Sequence, residues 1–195
     1  MTGQFQHGIS IQSFSERILR SNSVTDELDR WCSEHNIGNG RIVALCARDA
    51  PHEAMDEESL HNLSTYKHPG KSRFRRVRLA TAGVTVADAL NWYFPDNLPS
   101  DICHKLETTD VAFGRGISHL NPKRRTFFVW RAAPEQLVDQ RGSIDPESIA
   151  FETRAVVYRD DNVPLALVHE RFRTKLFLSV PGFAPAARIE APSEL

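Results

Sequence analysis

The sequence has no apolar run near the ~20 residues that a membrane span needs. Its start, MTGQFQHGIS, lacks the basic flank and apolar centre of a signal peptide, so a cytoplasmic location is the expectation. Cysteine is scarce: Cys32, Cys46 and Cys103 form an odd set with none of the close spacings of zinc sites or redox pairs, and they read as reduced thiols. Excess charge of one sign is also missing. Lys and Arg total 24 against 25 Asp and Glu, a formal net charge of −1, where a protein gripping a phosphate backbone is usually clearly basic. No nucleic-acid partner is therefore expected. Phosphate loops, nucleophile elbows and HExxH pairs do not occur. Gly38-Asn39-Gly40 follows a helical pattern and precedes an apolar strand, the reverse of a dinucleotide fingerprint. The eight histidines are scattered, with no pair at helical ligand spacing beside a carboxylate, and neither a metal nor a cofactor is expected.

What remains is an ordinary globular composition, 41% hydrophobic and 25% charged over 195 residues, enough for one domain with its own core. Residues 1–10 carry no pattern and read as loose. Residues 11–180 read as the domain, and the tail 181–195, with Pro181, Pro185 and Pro192, reads as extended or disordered. A helix is expected over Ile11–Arg20. A second follows Ser23, with Leu28, Trp31 and Cys32 at i, i+3 and i+4. Residues 49–72 are polar and acidic around Asp56-Glu57-Glu58, and read as a mobile excursion with a helical turn or two. Pro99 fits the first turn of a helix carrying Ile102, Cys103 and Leu106. Six stretches are strand-prone: 42–46, 73–79, the run ending in Asn91-Trp92-Tyr93-Phe94, 125–130, 151–158 and 163–172. Ala82-Gly83 and Asp160-Asp161-Asn162 mark hairpin turns. The pattern predicts an α+β fold: a six-stranded antiparallel sheet with helices packed on it.

Two charges fall where strand alternation points inward. Arg75 shares a face with Val77 and Leu79, whereas Arg76 and Arg78 share the other and read as charged exterior. Glu170 shares a face with Ala166, Val168 and Phe172. A guanidinium directed at a core needs an anion there, because an unpaired buried charge is very costly. Either these two residues pair with each other as a buried salt bridge, or each faces a pocket.

The order of these features resembles that of the chorismate pyruvate-lyases, whose fold is shared with the ligand-sensing domains of one group of bacterial transcription regulators. The resemblance covers Arg75 to about Phe172. It comprises the strand Arg75-Arg76-Val77-Arg78-Leu79 and the strand ending Asn91-Trp92-Tyr93-Phe94-Pro95. The bend Ala112-Phe113-Gly114-Arg115 and a last hairpin carrying Glu170 complete it. The helix with Trp31 resembles the family's N-terminal helix more weakly. In several places the sequence departs from the family: Asn91 stands where an arginine is usual, Phe113 is bulkier than the usual leucine, the hairpin is one residue longer, and 49–72 has no counterpart.

The resemblance implies a cofactor-free elimination of pyruvate from chorismate to give 4-hydroxybenzoate, driven by aromatisation of the ring. Arg75 would clamp the ring carboxylate through a bidentate pair, and Glu170 would bind the hydroxyl and help place the departing proton. Phe113, with Gly114 at the bend, would wall the pocket, and Asn91 and Arg115 are candidate polar contacts. The alternative is a non-catalytic binder or sensor of a small aromatic acid using the same residues. In both readings the partner is a small molecule.

Overall fold

The fold is described from a computed structural model, covering residues 3–67 and 70–183. Helix α1 (Gly3–Arg20) begins ahead of the Ile11 start expected from the pattern, and buries Ile11, Phe14 and Ile18 on one stripe. Helix α2 (Val24–Glu34) starts where the sequence signals it. The Ser23 side chain accepts from the Asp26 N–H, and Asp26 and Glu27 sit in the first turn where the helix dipole favours them. The chain then turns through left-handed residues Asn36, Gly38 and Gly40.

Six strands follow: β1 (Val43–Ala47), β2 (Arg73–Thr81), β3 (Val84–Tyr93), β4 (Lys123–Arg131), β5 (Ile149–Tyr158) and β6 (Pro164–Arg173). They form one antiparallel sheet in the order β1-β2-β3-β6-β5-β4. Between them lie α3 (Glu57–Leu63), α4 (Ser100–Thr108) and α5 (Phe113–Ile117). Ala82 and Gly83, both at positive φ, make the tight β2–β3 turn, and Asn162 at φ 63° closes β5–β6. This is the expected α+β arrangement.

Helices α1, α2, α4 and α5 all pack on one face of the sheet, the inner face, against Val77, Ala89, Phe151, Val168 and Phe172. Trp31 and Phe14 stack edge-on at its centre, and Trp31 Nε1 donates to the Leu176 carbonyl at 3.1 Å. Cys32 is wholly buried there, and burial pushes its thiol up to about 12, so it serves as a small core hydrophobe.

The opposite face is also covered, by the stretch that reads in the sequence as a mobile excursion. Helix α3 is capped by Asp56, whose Oδ1 accepts from the Ser59 N–H at 2.8 Å. It sets Leu63 over Leu90, Trp92 and Leu167. Trp92 Nε1 donates to the Glu53 carbonyl at 2.6 Å, and Arg154 pairs with Asp56. The tail beyond Phe183 lies outside the described residues.

Candidate ligand-binding site

Strand register places the candidate residues. Arg75 pairs with Asn91, Asn91 with Val168, and Glu170 with Ala89 and Thr153, so all these residues share the inner face. At the centre of that face lies a cavity of about 40 Å³ between the strands, the start of α2 and the start of α5. Val77, Leu79, Phe113, Ile117, Val157 and Val168 give it apolar walls, and Asn91, Arg124 and Glu170 point polar groups at it.

Glu170 pairs with Arg124 and not with Arg75. Arg124 Nη2 and Nη1 donate to Glu170 Oε2 and Oε1 at 2.7 and 3.3 Å, a forked geometry that fixes both side chains. Thr153 closes the cluster, donating to Glu170 Oε2 at 3.0 Å while accepting from Arg124 Nη2 at 3.0 Å. The Arg124 and Glu170 side chains are only 3% and 7% exposed. Arg124 was not among the residues that strand alternation singled out. Simple alternation places it on the side of Phe128, but a bulge between Thr126 and Phe128 turns it inward. The available signal was Glu170 itself, an inward carboxylate that required a cation.

Asn91 is 3% exposed, lines the cavity and makes no side-chain hydrogen bond among the described residues. Phe113 and Gly114 come from α5, which approaches α2 closely. A Cβ on Gly114 would lie 3.2 Å from Thr25 Oγ1 and 3.4 Å from Ser23 Oγ. Arg115 turns away from the cavity: it donates to the Ile42 carbonyl at 2.9 Å and to Asp29 Oδ2 at 2.7 Å, tying α5 to α2 and to the approach to β1.

Arg75 is buried at 4% exposure, as its parity required, but its guanidinium leaves the cavity. Nη1 donates to the Val111 carbonyl at 2.7 Å and Nη2 to the Thr109 carbonyl at 3.0 Å, at the C-terminal end of α4 where a cation complements the helix dipole. It lines a separate, open cleft of about 450 Å³. The chain that holds it, 109–112, leads directly into Phe113 on the cavity wall. The residues singled out from the sequence are thus divided between two neighbouring spaces.

No family model matches the sequence. Uncharacterized protein y4mC of Sinorhizobium fredii is 28% identical over 177 residues, 83% of this chain and 73% of that protein. Among solved structures, the effector domain of PhnF from Mycobacterium smegmatis superposes with a TM-score of 0.51 at 14% identity, over 80% of this chain and 91% of that one. The longer PhnF structure gives a TM-score of 0.52 at 16% identity over 80% of this chain. This chain spans 66% of that one, less than two thirds. The chain has the chorismate lyase-like fold, the class shared with that effector domain. Among the described residues, no helix is long and apolar enough to cross a membrane.

Proposed function

We propose that the chain is a small-molecule-binding domain of the sensor type, with its ligand in the inner cavity. The observation that carries this reading is the cavity's composition. A forked Arg124–Glu170 pair and an unbonded Asn91 amide are held at the centre of the sheet among the apolar side chains of Val77, Leu79, Ala89, Val157 and Val168. The Asn91 amide lines the cavity without a side-chain hydrogen bond among the described residues, and so is a contact held ready for a ligand. Glu170 retains acceptor capacity for a ligand hydroxyl, Arg124 retains donors for a carboxylate or carbonyl oxygen, and Phe113 supplies a flat apolar wall. The ligand class is a small ring-bearing acid with a hydroxyl or carbonyl. The fold likeness to an effector domain supports binding over turnover.

A catalytic reading keeps one specific support: Arg75 and Glu170 lie on the same face of the sheet. It asks Arg75 to leave the Thr109 and Val111 carbonyls and clamp a chorismate carboxylate.

One set of measurements separates the readings: thermal shifts with 4-hydroxybenzoate, benzoate, phenol and chorismate, each with a pyruvate assay. A ligand at 100 times its dissociation constant stabilises by about 2.7 kcal/mol. The expected outcome is stabilisation by an acid of this panel without pyruvate release, lost in Asn91→Leu. Pyruvate release from chorismate selects the lyase. No shift with any acid, or a shift unchanged in Asn91→Leu, refutes the cavity as the site.

A further inference from the structure

The sheet ends on two edges, β1 and β4, and they are defended very differently. An edge strand offers unpaired N–H and C=O groups to any second strand, and monomeric proteins blunt it with charge, proline or a bulge. β4 has all of these. Pro122 precedes it, Lys123, Arg125 and Arg131 stand exposed along it, and a bulge breaks it between Thr126 and Phe128. β1, Val43-Ala44-Leu45-Cys46-Ala47, carries no charge, no proline and no bulge in its pairing with β2. Its free side has no strand partner among the described residues. Val43 and Leu45 are 45% and 41% exposed on the outer face, outside the cover that α3 lays on Leu90, Trp92 and Leu167. The charges at the two ends of β1 are also unmatched. Arg41 precedes the strand, and Asp49 follows it where the chain turns with the Ala50 N–H on the Ala47 carbonyl. Both side chains are exposed, and neither has an ion pair among the described residues. Arg48, between them, is already held by Asp110 at 3.1 Å.

We infer that β1 is a dimer edge, pairing antiparallel with β1 of a second copy about a two-fold axis at Leu45. A two-fold contact must be self-complementary, and this strand is. Pairing centred on Leu45 sets Leu45 against its own copy, Val43 against Ala47 and Ala44 against Cys46, all small or apolar. Just beyond the strand, Arg41 of each copy then meets Asp49 of the other, so both unmatched charges are answered twice. A centre at Ala44 or Cys46 would leave them unmatched. A parallel pairing in register would set like charges side by side, which is unfavourable. The two sheets become one, with the helices of both copies on the same face. Five residues of edge make a small interface, so the dimer forms and dissociates with concentration.

The test is sedimentation velocity of the whole chain over a concentration series reaching the high micromolar range. A monomer–dimer equilibrium is expected. Leu45→Lys should abolish the dimer, because it sets an ammonium against its own copy; the position is exposed, so the fold tolerates it. Leu60→Lys, at an exposed leucine of α3, should leave association unchanged. Arg41→Asp and Asp49→Arg should each weaken association about tenfold, since each sets like charges together at both ends. The double variant exchanges the charges and should recover the wild-type constant. Leu45→Cys, facing itself across the axis, should form an intermolecular disulfide under mild oxidation, and Leu60→Cys should not. A chain that stays monomeric throughout the series, or a dimer that Leu45→Lys leaves intact, overturns the proposal. So does a dimer that the double charge exchange fails to restore, because only the two-fold pairing about Leu45 joins Arg41 to Asp49.

Discussion

At the scale of single residues, the inner cavity is governed by one buried ion pair. Removing one partner of such a pair leaves a bare charge in a dry setting and typically costs about 3–5 kcal/mol, whereas replacing both by apolar groups of similar size is often neutral or better. Arg124→Met and Glu170→Leu are each expected to lower stability by that amount, and the double variant to recover most of it, as read from urea midpoints at constant slope. Single variants that cost less than about 1 kcal/mol would mean that the pair is solvated and contributes like a surface bridge. The need for this pair was half legible in the sequence. Period-two alternation isolated Arg75 and Glu170 as inward charges, because β2 and β6 run regularly through both positions. It left open whether they met each other, since cross-sheet distance and side-chain direction have no sequence signature. The structure sets β3 between them: Glu170 takes Arg124 from beyond β5, and Arg75 takes the carbonyls at the end of α4.

At the scale of elements, the site depends on how closely α5 approaches α2. Gly114 permits that approach, with the Thr25 and Ser23 hydroxyls where a side chain would begin. Gly114→Ala is expected to force the two helices apart and to cost about 1–3 kcal/mol, the usual penalty of overpacking, despite the better helix propensity of alanine. Chemical denaturation checks this, and a neutral or stabilising result would show that the helices yield freely. The bend itself was readable as glycine-bracketed, but its partner was not, because Thr25 lies 89 positions earlier in the chain. The cover on the outer face was misread for a related reason. Residues 49–66 are too polar to announce a packed element. The signal lay elsewhere, in Leu90 and Trp92 on one strand, Phe94 just after it, and Val156 and Leu167 on two others. Strands apolar on both faces require covering on both faces, and α3 with its flanks supplies the second cover.

At the scale of the whole molecule, the chain falls into two halves of like element order apart from the inserted α3, α1-α2-β1-α3-β2-β3 and α4-α5-β4-β5-β6, joined where β3 meets β6. About the central pair Leu90–His169, Asn91 and Glu170 occupy equivalent positions on the two strands, so the cavity's polar groups straddle the seam. The helices over it also come from different halves, held by the Gly114–Thr25 approach and the Arg115–Asp29 pair. A cavity of about 40 Å³ has room for roughly three waters at ~15 Å³ each, and not for a ring-bearing acid. Binding therefore requires α5 to lift from α2, and the opening should set the rate. Association measured by stopped flow is expected to level off as ligand concentration rises, with an apparent constant below the ~10⁵ M⁻¹s⁻¹ lower end of ordinary docking. Arg115→Ala cuts the tie between the helices and should raise that plateau while weakening the closed complex, so that dissociation quickens as well. Rates that climb linearly towards ~10⁷ M⁻¹s⁻¹, unchanged by Arg115→Ala, would mean that the ligand reaches its site without parting the two halves.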